Sequence, residues 1–309
     1  MHQPPALGAD AVHTLLSLAG TPVRRVAEGS EHATWFIGDD RVLRLAADED
    51  VTLRQRREVA LRDALRGRLP VPVPESLASG EWAPRLAYTL DRRLPGRSAE
   101  ERQVSGAGEL DLAGLLAALR SYGRTEPGDP APAGAAAAGG GSGAGTGSVD
   151  LPREPVRDPA GLREEALRAA GRSVDPALDP GLVLRRLAVP PPPAAPDTAV
   201  LLHNDLKGEH LLIGDDGEIT GVLDWTDAAL GDPAEDIAGL AISVGAPAAV
   251  RAAALASYGP EVCLRGLWLA RCDTLVRLAG RLHGSDGDSP LPLLRTQRRR
   301  AWQLTPLDL

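Results

Sequence analysis

The chain has 309 residues, 43% hydrophobic but only 3% aromatic, and a formal net charge of −8. That length suits one large domain or two lobes around a shared cleft, with leucine, valine and alanine building most of the core. The negative balance excludes a general nucleic-acid binder and suits a cationic or neutral small-molecule partner.

The first residues lack a basic region followed by an apolar run, so no export signal is evident. Residues 11–18 read as a short helix. Residues 23–27 and 34–37 alternate as strands around the polar segment 28–33, and the Asp39-Asp40 turn leads to a third strand at 41–45. Apolar positions at helical spacing cover 53–69 and stop before Pro70. Pro72 and Pro74 enforce an extended path. Residues 86–90 form another strand, and Leu94-Pro95-Gly96 breaks the chain. The order is three strands, a helix, two strands, then a crossover, which describes a small antiparallel sheet carrying one helix.

A helical second half begins at 110–119. Residues 127–148 are low-complexity Ala, Gly, Pro and Ser; they bury too little apolar surface to offset ordering and read as a flexible insertion. Residues 190–193 are a stiff polyproline approach to the next strand. Apolar runs at 211–213 and 219–223 flank Gly214-Asp215-Asp216-Gly217, a hairpin signal. The remainder is helical, amphipathic over 264–282 and basic at 298–300. Its longest weakly polar stretch, 238–250, is too short to span a bilayer. Cys263 and Cys272 show neither a pairing pattern nor metal spacing and read as buried thiols of a reducing compartment. A soluble cytoplasmic protein with no membrane partner is expected.

The chemistry lies in residues 201–240. Phosphoryl transfer needs positioning, charge neutralisation and a group that accepts the alcohol proton. A kinase-type loop reads His-x-Asp, four residues, a metal ligand and, later, a second metal-binding Asp. His203, Asp205, His210 and Asp224 stand at that spacing. Asp205 is the candidate proton acceptor. Lys207, the only lysine of the chain, is placed to neutralise charge on the transferring group. Asp224 would bind a divalent ion, and the hairpin brings His210 and Asp224 to the same end, as a shared ion requires. Magnesium prefers oxygen, so His210 is either a metal ligand or a packing and hydrogen-bonding residue, with adjacent Glu209 as the alternative ligand. His203 braces the loop, Asp232 and Asp236 hold the following segment, and Asp227 or Glu235 faces a cationic substrate.

In the first half, Gly29 and Ser30 are candidates to arch over the phosphates of ATP or GTP. With no lysine there, Arg44 is the natural phosphate-binding cation and Glu58 its ion-pair partner. Asp91, Arg92 and Arg93 begin the hinge whose backbone meets the purine.

These motifs resemble the aminoglycoside and macrolide phosphotransferase family, which shares the protein-kinase fold. Residues 41–45, 57–65, 70–74 and 90–96 look like its nucleotide lobe, and 203–212 and 221–238 like its catalytic and metal motifs. The resemblance implies an α+β, bilobal protein-kinase-like fold. A small antiparallel-sheet N-lobe with one helix (1–96) would bind nucleotide, and a larger, mainly helical C-lobe (97–309) would hold catalysis and the small-molecule substrate. It implies ATP or GTP as co-substrate with Mg2+, Asp205 as catalytic base, His210 and Asp224 as metal positions, and the Arg44–Glu58 pair. The expected reaction moves a γ-phosphoryl group to a hydroxyl of an antibiotic; a small-metabolite kinase and an inactive kinase-fold binding protein are the alternatives. Most family members carry Asn where this chain has His210, which brings it closer to the macrolide enzymes, and Arg44 stands where lysine is usual.

Overall fold

The computed structural model describes residues 22–26, 32–122, 149–172, 179–191, 198–284 and 289–308. The expected helix at 11–18, Gly29 and Ser30, and the insertion at 127–148 lie outside the described residues. Strands β1 (Val23–Arg25), β2 (His32–Ile37), β3 (Arg41–Ala46), β4 (Ser76–Ala83) and β5 (Leu86–Arg92) form one sheet in the order β1-β2-β3-β5-β4. Every pairing is antiparallel. Strand alternation places Trp35, Ile37, Leu43, Leu45 and Leu90 in one buried cluster.

Helix α1 (Glu49–Leu65) connects β3 to β4. Asp48 caps it by accepting the Val51 N–H at 2.8 Å, and Glu49 and Asp50 in the first turn complement the helix dipole. Apolar periodicity placed its start at residue 53, because periodicity is blind to a polar cap. Its end falls at Leu65 rather than 69, where Gly67 turns the chain at a φ of 77°. The helix buries a polar stripe, Thr52, Gln55, Glu58 and Arg62. Gln55 Nε2 donates to the Arg44 carbonyl and to Thr89 Oγ1, each at 3.2 Å. Arg62 donates to both Asp91 carboxylate oxygens at 3.2 Å. These bonds offset the desolvation of the stripe and fix α1 against β3 and β5.

The second half is mainly helical. It contains α2 (Gly106–Ser121), α3 (Pro159–Arg172), α4 (Pro180–Arg186), α5 (Ala234–Ser243), α6 (Ala246–Leu255), α7 (Pro260–Leu282) and α8 (Leu291–Ala301). Two small sheets are set among them. β6 (Arg97–Ser98), β8 (Leu211–Ile213) and β9 (Ile219–Val222) form one; β7 (Val200–Leu202) pairs with β10 (Ala229–Gly231) in the other. The expected hairpin is β8–β9. Its turn is tied to α2: Gly217, at a φ of 82°, accepts the Ser105 N–H at 2.9 Å, and Asp111 accepts the Ile219 N–H at 3.0 Å. A Cβ on Gly217 would lie 2.7 Å from the Ser105 Cβ, so the close approach requires glycine.

Helix α7 crosses α5 at Gly266, where an added Cβ would stand 2.7 Å from Ile237 Cγ2 and 3.0 Å from the Ala234 carbonyl. Overpacking of this kind costs about 1–3 kcal/mol. Gly266→Ala is therefore expected to lower the urea midpoint at unchanged slope; an unchanged midpoint would show that the crossing relaxes freely. Cys263 and Cys272 both lie buried and free on α7. Burial pushes the Cys272 thiol up to about 12 and raises that of Cys263, so both stay protonated at neutral pH. Among the described residues, no helix is long and apolar enough to cross a membrane.

Candidate active site

Strand β7 delivers the chain to His203, which is fully buried. A carbonyl only accepts, so the 2.8 Å contact of Nε2 with the Leu223 carbonyl puts the imidazole proton on Nε2. Nδ1 then accepts the Asp205 N–H at 3.3 Å. The ring is neutral: burial, with His210 adding to it, pushes its pKa down to about 4. It rests on Trp225, ring centroids 4.6 Å apart, whose indole N–H donates to the Val222 carbonyl at 3.1 Å. Buried Asp236 accepts the N–H groups of His203 at 2.9 Å and Asn204 at 2.8 Å. Asn204 holds a left-handed backbone, φ 66°, and its side chain donates to Glu154 at 2.8 Å. The expected brace is therefore real, and it clamps the residues immediately before Asp205.

Asp205 presents its carboxylate to Lys207, whose Nζ lies 2.9 Å from Oδ1 and 3.0 Å from Oδ2. A short 3-10 turn, Gly208–His210, carries the chain back toward β8. His210 Nδ1 lies 2.9 Å from the Asp205 carbonyl. The carbonyl is again only an acceptor, so Nδ1 donates to it. His210 Nε2 lies 3.6 Å from Asp224 Oδ2. The hairpin makes this meeting possible: Leu211 pairs with Val222, and the Leu223 N–H donates to the His210 carbonyl at 2.8 Å. Asp224 then turns out of the strand with φ 56°.

The first sheet reaches the same point. Arg44 on β3 lies 2.9 Å from Glu58 on α1 and 3.9 Å from Asp224 Oδ1. Burial acts against the Arg44 charge, but the Glu58 and Asp224 carboxylates outweigh it and its pKa is raised. Burial likewise acts against ionised Glu58, and Arg44 with Arg62 outweighs it, so Glu58 stays an anion. Glu58 also accepts the Trp225 N–H at 3.4 Å and stands 3.5 Å from Thr226 Oγ1, and the Thr226 hydroxyl donates to Asp224 Oδ1.

The hinge candidates stand elsewhere. Asp91 is buried with Arg62, Ser76 and Thr89. The Arg92 and Arg93 N–H groups donate to the Glu75 and Asp40 carbonyls, both at 2.8 Å. Arg92 pairs with Glu75, and Arg93 lies over Phe36. Gly29 and Ser30 fall outside the described residues.

A cavity of about 210 Å³ includes Glu154, Arg157, Asp232, Glu235 and Trp268 in its lining. Its carboxylates are committed within the protein: Glu154 to Asn204, Asp232 to Arg265, and Glu235 to Arg157 at 3.3 Å. Burial still pushes Glu235 up to about 7. Two of the carboxylates of 201–240, Asp232 and Glu235, are thus paired with arginines within the protein. Sequence reading overlooked Asn204, Glu154 and Thr226. Only the direct adjacency of Asn204 to Asp205 and of Thr226 to the Asp224-Trp225 motif pointed to two of them.

Comparison with known proteins bears on the family and the fold. The profile of the phosphotransferase enzyme family (APH) matches residues 22–267. The viomycin phosphotransferase of Streptomyces vinaceus is 28% identical over 246 residues, 75% of this chain and 77% of its own. A local match to the uncharacterized protein YcbJ of Bacillus subtilis (strain 168) is 49% identical over 41 residues, 13% of each chain. Among solved structures, the GDP complex of aminoglycoside 2'-phosphotransferase-IIIa superposes with a TM-score of 0.62 at 17% identity, covering 94% of this chain and 96% of that one. The macrolide 2'-phosphotransferase MphH of Brachybacterium faecium gives 0.58 at 22% identity, covering 95% and 98%. These structures share the fold, a small antiparallel sheet with one helix joined to a mainly helical part, and with the profile match over most of its length the chain belongs to the phosphotransferase enzyme family.

Proposed function

We propose that this phosphotransferase moves the γ-phosphoryl group of ATP or GTP to a hydroxyl of an antibiotic-class small molecule. The carrying observation is the meeting of Asp205, His210 and Asp224 at one end of the β8–β9 hairpin, with Arg44 and Glu58 arriving from the sheet. In this reading residues 1–96 bind nucleotide, with the hinge from Asp91 to Leu94 at the purine, and 97–309 carry catalysis and the acceptor. Antibiotic acceptors are supported by the likeness to a viomycin phosphotransferase over 75% of the chain. The free thiols of Cys263 and Cys272 suit a reducing, cytoplasmic setting.

Each residue has a task. Asp205 orients the attacking hydroxyl and takes its proton at a carboxylate oxygen. Lys207, beside that carboxylate, neutralises charge gathering on the transferring group. Arg44, held by Glu58, faces the phosphates. His210 Nε2 and Asp224 Oδ2 offer two donors, and no cluster of three or more His, Cys, Asp or Glu able to hold a metal occurs among the described residues. Asp224 offers the oxygen that Mg2+ prefers, with the His210 imidazole as the softer second donor; Mg2+ takes few protein ligands and would fill its shell with phosphate oxygens and water. When bound, the ion neutralises the phosphate oxygens.

Two measurements test the reading. ATP or GTP consumption with Mg2+ is expected to rise on adding one member of a panel of aminoglycosides, macrolides and peptide antibiotics; a basal rate that no member raises counts against an antibiotic acceptor. Asp224→Asn is expected to abolish the metal dependence of nucleotide binding seen by calorimetry, and unchanged metal dependence would remove Asp224 from the metal site.

A further inference from the structure

We propose that Ser243 is a positioning residue for the reaction: its hydroxyl ties helix α5 to the Leu206 carbonyl and so fixes Asp205 and Lys207 on either side of it. The inference rests on reading Asp205 as the proton acceptor and Lys207 as the cation beside it. Helix α5 carries Asp236, Gly239 and Ser243 at spacings of three and four residues, which a helix places on one face. All three meet the loop. Asp236 accepts the N–H groups of His203 and Asn204, just before Asp205. A Cβ on Gly239 would stand 3.1 Å from Leu206 Cβ and 3.3 Å from the Leu206 carbonyl oxygen, so the helix lies directly against the backbone after Asp205. Buried Ser243 brings its Oγ to 2.5 Å from that same carbonyl. One helix face thus grips the loop before and after the candidate proton acceptor.

The carbonyls of the loop show what the hydroxyl does. The Asp205 carbonyl accepts the Lys207 N–H at 2.7 Å and His210 Nδ1 at 2.9 Å, and the Lys207 carbonyl accepts the His210 N–H at 3.0 Å. Both are satisfied from within the loop. The Leu206 carbonyl between them has one donor among the described residues, the Ser243 hydroxyl. That hydroxyl carries one hydrogen and faces two acceptors, the Leu206 carbonyl at 2.5 Å and the Gly239 carbonyl at 2.7 Å. Within the helix the Gly239 carbonyl is the acceptor for the N–H four residues on; the Leu206 carbonyl has no such backbone donor. The proton therefore goes to Leu206. The Ser243 end of α5 is anchored in turn, because Arg300 on α8 donates to the Ser243 carbonyl.

Without the hydroxyl, the Leu206 carbonyl is a buried acceptor with no donor, a state the backbone leaves by moving. The peptide joining Leu206 to Lys207 rotates, and the Lys207 ammonium and the Asp205 carboxylate lose their fixed relation. Arg44, Glu58 and Asp224 keep theirs, since they stand on β3, on α1 and after β9. Helix α5 is not weakened, because alanine is the best helix former.

The test joins hydrogen exchange to kinetics on the whole protein, with wild type, Ser243→Ala, Ser243→Thr and Gly239→Ala. In Ser243→Ala the amides of Lys207 and His210 are expected to exchange about tenfold faster, the equivalent of one hydrogen bond, while those of α7 keep their rates. Consumption of ATP or GTP with Mg2+ and the antibiotic panel is expected to show kcat about ten- to hundredfold lower, as for a reacting group displaced by an ångström or less, at an unchanged KM for nucleotide. Ser243→Thr keeps the hydroxyl and is expected to restore both. Thermal unfolding reports whether each variant folds. If Ser243→Thr does not, Ser243→Cys, a weaker donor of similar size, is expected to fall between wild type and Ser243→Ala. If Ser243→Ala does not, Gly239→Ala, which keeps the hydroxyl and presses on Leu206, carries the test with a loss in kcat. Wild-type exchange in Ser243→Ala overturns the tether. Faster exchange with wild-type kcat, a change confined to KM, or threonine as poor as alanine overturns the positioning role. Wild type that consumes no nucleotide with any acceptor overturns the reading of Asp205 and the positioning role with it, whereas the exchange rates still report the tether separately.

Discussion

Asp205→Ala is expected to cut turnover by about 10²–10⁴-fold, the range for a positioned proton acceptor, while nucleotide affinity stays near wild type. The separation follows from the site's construction. The Asp205 carboxylate contacts Lys207 and lies 3.5 Å from His210 Nδ1, whereas the Arg44–Glu58–Asp224 group proposed to face the phosphates is held by β3, α1 and the end of β9. The loop itself does not depend on this carboxylate: its shape comes from the His203 ring, the Asp236 carboxylate and the Asp205 backbone. Steady-state kinetics with calorimetric nucleotide binding checks both halves. Near-normal turnover in a folded Asp205→Ala protein would refute the assignment, and lost nucleotide affinity would show that Asp205 serves binding instead.

Glu58→Ala carries the largest expected stability effect. Glu58 is completely buried, pairs with Arg44 at 2.9 Å and Arg62 at 3.7 Å, and accepts the Trp225 N–H. Its removal leaves buried Arg44 without its nearest counter-charge and strips an acceptor from the segment after Asp224. Breaking one side of a buried pair costs roughly 3–5 kcal/mol because the remaining charge is uncompensated. Arg62 is cushioned, since Asp91 still accepts from it; Arg44 is cushioned less, because Asp224 is 3.9 Å away with a side chain 42% exposed. Urea unfolding at neutral pH should show a loss of that order. A loss under about 1 kcal/mol, the value of an exposed pair, would mean that Arg44 finds solvent and that the pair does not lock α1 to the site.

The fold class and the meeting of His210 with Asp224 were legible in the sequence, and the bounds of single elements were less so. The hairpin turn 214–217, flanked by apolar runs, was enough to bring His210 and Asp224 to one end, because antiparallel pairing fixes where strand ends meet. The pairing of Arg44 with Glu58 was legible because a strand and the helix that follows it have a short link. Helix α1 was legible in existence but not in its bounds: its inward stripe is polar, so apolar spacing misjudges both ends. Strand β10 left no readable signal. It is three residues long, and its place beside β7 is set by pairing to a strand nearly thirty residues earlier. Asn204 and Thr226 stand in geometry that spacing does not encode, a left-handed backbone in one case and a hydroxyl donating to Asp224 in the other. The partners of Asp232 and Glu235 were not legible for a related reason: composition counts charges, and the arginines that pair with them come from 265 and 157, far away in sequence.

Transfer itself is tested most directly by the mass of the acceptor after incubation with ATP or GTP and Mg2+, wild type beside Asp205→Ala. The account predicts that one antibiotic gains a single phosphoryl group in step with nucleotide consumed, and that the variant yields almost none. Nucleotide bound or hydrolysed with every acceptor unchanged in mass would contradict it, as would equal product from wild type and Asp205→Ala.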